Sequence, residues 1–389
     1  MNVSPRPSSP RIDVVDALRG FAVFSIMLLH NVEHFDLYYF PASLPGWMKS
    51  TDQIMWDGLF FLFSGKSYAV FALLFGLTFF IQSDNQEKKG LDFRGRFAWR
   101  LGLLMLFALV NSLFYQGDIL TLYAAIGFVL LPVAPLSSRT VFFIALFLML
   151  QPLEWMNFFT IYLTPDYIPA EPVSNAYFVQ TGEYLMHGSF WSVVQGNLTT
   201  GKLAVIHWSW ENGRFFQTAS LFMLGMLIGR NGFFLDSNKN RSFWKKVLFF
   251  SIIAFVPLFF LRYAFFGWGM REALAGKLAM IVSSWSNFAF MLVLVSGFVL
   301  LYYTAAARRV MKNFIPFGKM SLSNYVMQSI AGSFIYYGFG LALYQYTGAA
   351  YSIIIGSALF VLQLWFCRWW LGRHTQGPLE YLWHRATWI

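Results

Sequence analysis

"KVLFFSIIAFVPLFFLR", residues 246–262, has a basic residue at each end and no charged residue between them. A membrane-spanning helix needs about 20 predominantly apolar residues, and this stretch comes close to that length. A second apolar run, "FFIALFLML", occupies residues 142–150. A transmembrane β-barrel would instead show segments of about ten residues with alternating hydrophobicity. The pattern therefore predicts a helical membrane protein.

The composition of the whole chain agrees with this prediction. Of its 389 residues, 57% are hydrophobic, 20% are aromatic and only 12% are charged, whereas soluble domains carry about 25% charged residues. We predict an all-α, polytopic transmembrane bundle of about ten helices, with boundaries uncertain by about two to four residues. The predicted spans cover residues 15–34, 56–82, 97–115, 118–135, 140–163, 205–229, 245–264, 279–303, 320–343 and 351–372.

The net charge of +10 follows the predicted topology. Most of the 28 lysines and arginines fall on one side of the spans, as the positive-inside rule requires if both termini are cytoplasmic. We therefore expect a multi-pass protein of the plasma (inner) membrane and no nucleic-acid partner. The single cysteine, Cys367, excludes a disulfide framework, and the histidine spacing predicts no metal site.

No linker divides the chain. We predict a cytoplasmic tail over residues 1–14 and one integral membrane domain over residues 15–389. The longest outer loop is expected at about 164–204, with a short amphipathic helix near 177–194.

The first predicted helix, "RIDVVDALRGFAVFSIMLLHNVEHF" (11–35), carries ionisable groups inside an apolar segment. Ten residues separate Arg19 from His30. At 1.5 Å per residue they lie about 16 Å apart along the helix, and eleven positions make almost three turns, so both project from nearly one face. Ionisable groups at such depth are costly and usually functional.

An arginine followed after ten residues by a histidine in the first membrane helix, after "DALRG", resembles the acyltransferase-three superfamily of membrane acyltransferases. The rest of the chain resembles the related YeiB-like family (domain of unknown function 418). The matching segments are "GKSYAVFALLFG" (65–76), "GDILTLYAAIG" (117–127), "LFMLGMLIGRNGF" (221–233), "GKMSLSNYVMQSIAGSFIYYGFG" (318–340) and "GPLEYLWHRATW" (377–388). The superfamily includes the lysosomal enzyme that acetylates glucosamine ends across a membrane.

The resemblance implies roles for residues of the first helix. It makes His30 the catalytic base, and Asn31 stands where many YeiB-like chains have an asparagine. Arg19 would hold a phosphate of the acyl donor, which is expected to be acyl-coenzyme A. Each role has a structural alternative: His30 could be a packed histidine, and Arg19 could be a headgroup anchor or the partner of Asp16 at i, i+3.

Residues of later segments complete the predicted site. Lys66 lies deep in the second span and needs a partner, for which Asp57 and Asp118 are the candidates. Gly65 beside it predicts a broken or re-entrant segment over residues 58–66.

Asp118 follows a tight turn and is predicted first of all as the N-cap of the next helix. The donor-binding candidates are thus Arg19, Asp16 and Lys66. The substrate-binding candidates are Asp57, Asp118, Tyr123, Asn324, Tyr325 and Gln328. Interhelical hydrogen bonding alone also explains Asn324 and Gln328, which share one helix face.

Two functions of different classes fit these residues. The first is transfer of an acyl group from a cytoplasmic thioester to a hydroxyl or amine of an extracytoplasmic acceptor, a glycan or lipid headgroup. The second is a small-solute transporter or channel that uses the same polar stripe for binding; the lack of a visible inverted repeat weighs mildly against it. The expected partners are membrane lipids, the small-molecule or glycan acceptor and, in a homodimer, a second copy of the chain.

Replacement of His30 by alanine tests the catalytic role. A general base contributes about 10²–10⁴ in rate, so the folded variant should lose transferase activity by that factor. The measurement is consumption of the donor thioester by the purified variant. Full activity in a normally folded His30→Ala protein would refute the role.

Overall fold

The structure, a computed structural model, describes residues 12–39, 41 and 44–388. Within these residues the chain is all-helical and contains no β-strand. Most of the predicted cytoplasmic tail, residues 1–11, lies outside the described part. The helices are α1 (Asp13–Val32), α2 (Gly46–Phe63), α3 (Ser67–Glu87), α4 (Arg94–Ser112), α5 (Ile119–Gly127), α6 (Leu130–Val133), α7 (Ser138–Met149), α8 (Pro152–Leu163), α9 (Val173–His187), α10 (Phe190–Gly196), α11 (Lys202–Glu211), α12 (Arg214–Arg230), α13 (Asn238–Ala264), α14 (Glu272–Tyr302), α15 (Ala305–Met311), α16 (Ile315–Lys319), α17 (Ser321–Tyr336), α18 (Ala349–Leu371) and α19 (Pro378–Thr387).

Four helical stretches of the described chain are long and apolar enough to cross a bilayer, namely Gly46–Glu87, Asn238–Gly267, Glu272–Tyr302 and Ala349–Leu371. The bent pair α7 and α8 would make a fifth. The apolar helices agree with a membrane protein, but the predicted count of about ten spans is not confirmed. One reason is that predicted spans are broken: 140–163 bends by 40° between α7 and α8, and 205–229 is divided at Gly213, which has a φ of 64°.

The predicted break beside Lys66 is present. Helix α2 ends at Phe63 and α3 begins at Ser67, and Gly65 between them has a φ of 75°. Glycine adopts this left-handed conformation without the steric penalty that a Cβ imposes. The region predicted as one helix near 177–194 forms two helices, α9 and α10, with a break at Gly188 and Ser189.

Side-chain contacts fix the relative direction of the central helices. Arg19 near the start of α1 donates to Thr78 near the end of α3 at 2.9 Å, and Ser25 donates to Ser67 at the start of α3 at 2.8 Å. Helices α1 and α3 are therefore antiparallel. The bundle has an Arg19 end, where α1 begins, and a His30 end, where α1 finishes.

Helix α12 runs parallel to α3, because the hydroxyl of Tyr68 at the start of α3 donates to Gln217 near the start of α12, whereas Gly229 near the end of α12 lies beside Phe80 of α3. Glycines bring the two backbones into contact. A Cβ added to Gly76 of α3 would lie 1.9 Å from the carbonyl oxygen of Phe222, and one added to Gly225 would lie 1.9 Å from that of Leu73. Such close approach is the packing that small residues allow between membrane helices. Since α3 ends at the Arg19 end, α12 begins at the His30 end.

The contact predicts that Gly76→Ala destabilises the protein. The added methyl group must push α12 away, and overpacking of this kind costs about 1–3 kcal/mol. Thermal unfolding of the purified variant in detergent measures the loss as a lower midpoint. Gly102→Ala in α4 is the matched control, because a Cβ there meets nothing within 4 Å. An equal midpoint for the two variants would show that the α3–α12 contact is not tight.

Candidate functional site

A cavity of ≈ 260 Å³ lies at the Arg19 end of the bundle. Its walls come from α1, α3, α4, α5, the α16–α17 region and the C-terminal helix α19. The polar residues of the lining include Arg19, Thr78, Gln82, Arg100, Lys319, Ser321, Gln376, Glu380 and His384, and its apolar or aromatic residues include Phe71, Leu74, Phe75, Phe97, Leu120, Tyr123, Tyr325 and Trp383. The cavity thus combines a polar rim with an aromatic interior.

Arg19 is held in place by two side chains. Its guanidinium donates to the Asp16 carboxylate at 3.1 Å and to Thr78 Oγ1 at 2.9 Å. The i, i+3 ion pair with Asp16 is the one considered from the sequence. Asp16 is 4% exposed, so this buried carboxylate offsets the charge of Arg19 where water is scarce. Arg19 therefore reaches the cavity as an already paired cation.

Arg100 is a second guanidinium on the cavity wall, and it is only 8% exposed. It donates to Thr387 Oγ1 at 3.1 Å and lies 4.2 Å from the ring centre of Trp383, a cation–π distance. No carboxylate forms an ion pair with it within the described residues. A buried charge of this kind is expensive unless an anion compensates it.

Helix α19 closes one side of the cavity through Glu380. Its carboxylate accepts hydrogen bonds from Leu322 N at 2.7 Å, Ser323 N at 3.1 Å and Ser323 Oγ at 2.6 Å. It thereby occupies the free N–H groups at the start of α17, which is a favourable position for a negative charge. Burial raises the pKa of Glu380, and the hydrogen bonds from Ser323 and Leu322 oppose this effect.

His384 also faces the cavity from α19. Partial burial lowers its pKa below the usual 6.5, and nearby Arg100 lowers it further. The ring is therefore neutral near pH 7. The cations of the lining are then Arg19, Arg100 and Lys319, and Glu380 is the carboxylate among its residues.

The inner part of the cavity is aromatic and ends at Tyr325. Tyr123, one of its walls, donates to the carbonyl of Tyr68 at 2.6 Å. The hydroxyl of Tyr325 accepts from Ile119 N at 3.2 Å. These bonds fix both phenol groups. Arg19, Tyr123 and Tyr325 are thus the predicted site residues that the fold brings to one cavity.

His30 lies behind Tyr325 and does not line this cavity. Its ring packs against those of Tyr115, Phe35 and Tyr325, with centroid distances of 4.8, 5.5 and 6.2 Å. The Nδ1 atom is buried and has no hydrogen-bond partner in the described structure. A continuous passage from Arg19 to His30 is therefore not open in this structure, and Tyr325 separates the two.

The chain just beyond His30 has an unusual backbone. His34, Phe35, Asp36 and Tyr38 all have φ between 48° and 70°, a conformation that costs of order 1–3 kcal/mol for each non-glycine residue. Hydrogen bonds hold the segment, including Phe35 N to the carbonyl of His30 at 2.7 Å and the hydroxyl of Tyr337 to the carbonyl of Phe35 at 2.8 Å. The turn folds the chain back over the end of α1.

This turn places the Asp36 carboxyl beside Tyr115, whose hydroxyl donates to it. Burial raises the pKa of Asp36 to about 6, and the hydrogen bond from Tyr115 opposes the change. Gly117 lacks a Cβ where the Asp36 carboxylate and Tyr115 approach it. The His30 end thus carries a carboxyl group whose pKa is raised by burial.

Three predicted site residues are buried at helix contacts. Asn31 donates to the carbonyl of Met27 at 2.8 Å and accepts from the hydroxyl of Tyr336 at 3.0 Å, which leaves its amide in structural bonds. Asn324 donates to the carbonyl of Phe317 at 3.0 Å and contacts Cys367. Gln328 is fully buried, and neither of its amide atoms has a partner in the described structure.

The partner predicted for Lys66 is wrong. Its ammonium group lies 3.4 Å from the carbonyl of Phe60 and over the ring of Phe290. Asp57 is exposed and accepts from Gln53 at 2.9 Å, and Lys66 contacts α2 through the backbone carbonyl of Phe60 instead. None of Lys66, Asp57 and Asp118 lines the cavity at the Arg19 end.

Asp118 is the N-cap predicted for it. The carboxylate accepts from Leu120 N and Thr121 N at the start of α5. It also accepts from Asn111 at 3.0 Å and lies 3.4 Å from the ammonium group of Lys202. The cation that pairs with Asp118 is therefore Lys202, which begins α11 near the end of the predicted outer loop, and not Lys66.

The sequence prediction missed Arg100, Lys319, Glu380 and His384. A signal for α19 was nevertheless present, since Glu380, Trp383, His384 and Thr387 follow the i, i+3, i+4, i+7 spacing of one helix face. No local pattern shows that this face covers Arg100, because α4 and α19 are far apart in sequence.

Comparison with known proteins supports the resemblance stated from the sequence. Residues 228–389 match the family model described as "Protein of unknown function (DUF418)", which confirms the YeiB-like character of this part of the chain. The "Uncharacterized protein YxaH" of Bacillus subtilis (strain 168) is 26% identical over 417 residues, covering 100% of this chain and 97% of the relative. The "Uncharacterized 39.9 kDa protein in amylase 3'region" of Bacillus acidopullulyticus is 22% identical, covering 99% and 96%. No solved structure matches.

The bonds of Glu380 predict a loss of stability in Glu380→Ala. The substitution leaves two N–H groups of α17 without an acceptor, at a cost of about 1–3 kcal/mol. Thermal unfolding in detergent should show a lower midpoint, with a smaller loss in Glu380→Gln, which keeps one acceptor oxygen. Exposed Glu183 in α9 supplies the control, since Glu183→Ala should change the stability by less than about 0.5 kcal/mol. Equal midpoints for the two alanine variants would contradict the capping role.

Proposed function

We propose that this YeiB-like chain is a membrane acyltransferase. It moves an acyl group from a cytoplasmic thioester donor, acyl-coenzyme A, to a hydroxyl or amine of a glycan or lipid headgroup on the other side of the membrane. The proposal includes about ten spans and a location in the plasma (inner) membrane. It also places both termini in the cytoplasm, because this orientation puts most lysines and arginines on the cytoplasmic side. The Arg19 end is then the cytoplasmic end.

The observation that supports the proposal is the excess of positive charge in the cavity at the Arg19 end. Arg100 has no carboxylate partner among the described residues, and Lys319 forms no ion pair with them. The carboxylate of Glu380 is already engaged by the start of α17. A phosphorylated ligand would supply the missing negative charge, and guanidinium groups bind phosphates well because they donate two parallel hydrogen bonds.

The shape of the cavity suits a donor with a charged head and an apolar tail. Its lining combines three cations with the aromatic rings of Phe71, Phe75 and Tyr123. A thioester group carried inward along these rings would approach Tyr325. The ring of Tyr325 contacts that of His30, so the proposal requires this tyrosine to move before donor and base can meet.

His30 would act as the general base. Its neutral imidazole takes the proton of the acceptor hydroxyl or amine, and the acceptor oxygen or nitrogen attacks the thioester carbonyl. The new C–O or C–N bond forms, the C–S bond breaks, and the proton passes to the thiolate that leaves. The buried, unpartnered Nδ1 atom leaves this nitrogen available for a substrate group.

Coenzyme A itself is the probe that tests the donor site. Saturating coenzyme A should raise the unfolding midpoint of the protein in detergent, because a ligand that binds only the folded state stabilises it. In Arg100→Gln this increase should be lost, whereas the ligand-free variant should be about as stable as the parent, because an uncompensated buried charge has been removed.

Exposed Arg309 in α15 gives the matched control, and Arg309→Gln should keep the full response. Equal stabilisation of both variants would exclude Arg100 from the donor site. Vesicles containing the protein separate the two functions: consumption of the thioester supports transfer, whereas accumulation of a solute without covalent change would replace the proposal by transport.

A further inference from the structure

A second cavity, of ≈ 450 Å³, lies at the opposite end of the bundle. Its walls come from the start of α8, the segment that leads into α9, the end of α11 and the first turns of α14. Glu211 and Asn212, in its lining, immediately precede α12, which begins at the His30 end. None of its lining residues belongs to the cavity at the Arg19 end. It is therefore a separate site.

Interactions between distant segments fix the walls of this second cavity. Glu154 of α8, 1% exposed, forms an ion pair with Lys277 of α14 at 2.8 Å. The carboxylate of Glu211 at the end of α11 accepts from both the backbone N–H and the hydroxyl of Ser174 in α9. These interactions join α8 to α14 and α9 to α11, so the shape of the lining does not depend on a loop alone.

Two tryptophans and free amides form the accessible surface of the cavity. Trp208 and Trp210 are 38% and 51% exposed, and the guanidinium of Arg214 lies 5.2 Å from the ring centre of Trp208. Asn157 and Asn175 also line it, and their side-chain amides form no hydrogen bond with another described residue. The cavity therefore offers flat apolar faces beside groups that both donate and accept hydrogen bonds.

The charges of the lining restrict its ligand. The carboxylates of Glu154, Glu171 and Glu211 outnumber the one ammonium group, that of Lys277. An anionic ligand would be repelled here, in contrast to the cavity at the Arg19 end. Hydroxyl groups and amines, which donate to carboxylates, would be accepted.

We propose that this second cavity binds a glycosyl group, neutral or amine-bearing. The faces of a sugar ring expose C–H groups that pack on the indoles, and its hydroxyl groups hydrogen-bond to the amides and carboxylates. This combination of stacking surface and a few placed polar groups is how pockets select polyhydroxylated ligands. The proposal does not depend on acyl transfer, since a transporter or a receptor could use the same site.

Binding of defined trisaccharides to the purified full chain tests the proposal. The probes are maltotriose, its amine-bearing counterpart chitosan trisaccharide, and anionic trigalacturonic acid. The detergent must lack a sugar head group, because such a group would compete for the cavity. Isothermal titration should detect maltotriose and chitosan trisaccharide but not trigalacturonic acid.

Variants then locate the binding site. Trp210→Ala should weaken trisaccharide binding at least about tenfold, as loss of an aromatic anchor does. Trp191→Ala is the control, because Trp191 is 75% exposed and lies outside the lining. The unfolding midpoint and the response to coenzyme A should be unchanged in both variants, which separates this site from the donor site. Absence of trisaccharide binding, equal binding of the anionic probe, or unchanged binding by Trp210→Ala would each overturn the proposal.

Discussion

The structure of the Arg19 end depends on how it accommodates guanidinium groups that are buried in an apolar bundle. Arg19 is compensated by Asp16 one turn away and by Thr78 of the antiparallel helix. The guanidinium of Arg100 instead contacts the ring of Trp383 and the hydroxyl group of Thr387. Because burial of an unpaired charge is costly, Arg100, which forms no ion pair with another described residue, is a charged residue that stability alone does not favour.

The C-terminal helix links this charge to the rest of the bundle. Trp383 of α19 covers the guanidinium of Arg100 and donates to its carbonyl at 3.1 Å. One turn earlier, Glu380 completes the start of α17, the helix that also carries Tyr325. The same short helix therefore shapes the cavity wall and contacts the start of the helix that carries Tyr325.

The two ends of the bundle have complementary chemistry. The cavity at the Arg19 end is basic and leads into aromatic surface, whereas the second cavity is acidic and displays indoles and amides. Between them lies His30, enclosed by aromatic rings and followed by a strained turn that brings Asp36 to Tyr115.

The sequence by itself determined the features that depend on near neighbours. Composition predicted the helical membrane class, the i, i+3 spacing predicted the Asp16–Arg19 pair, Gly65 predicted the break after α2, and the tight turn predicted Asp118 as an N-cap. The last three of these follow from interactions between residues a few positions apart, which can be recognised directly in the sequence. The number of helices that cross the membrane was not settled this way, because hydropathy does not show where a helix bends or breaks.

The tertiary structure decided which polar residues meet. The carboxylates predicted as partners of Lys66 were wrong, because the position of Lys66 depends on the turn between α2 and α3. Asp118 instead pairs with Lys202 from a distant helix. Arg100 became a site residue only when α19 folded over α4, and Glu380, the carboxylate that α19 brings to the cavity, forms no ion pair with it in the described structure. The groups that compensate a buried charge come from every segment that surrounds it in the fold. A local stretch of sequence does not show which segments these are.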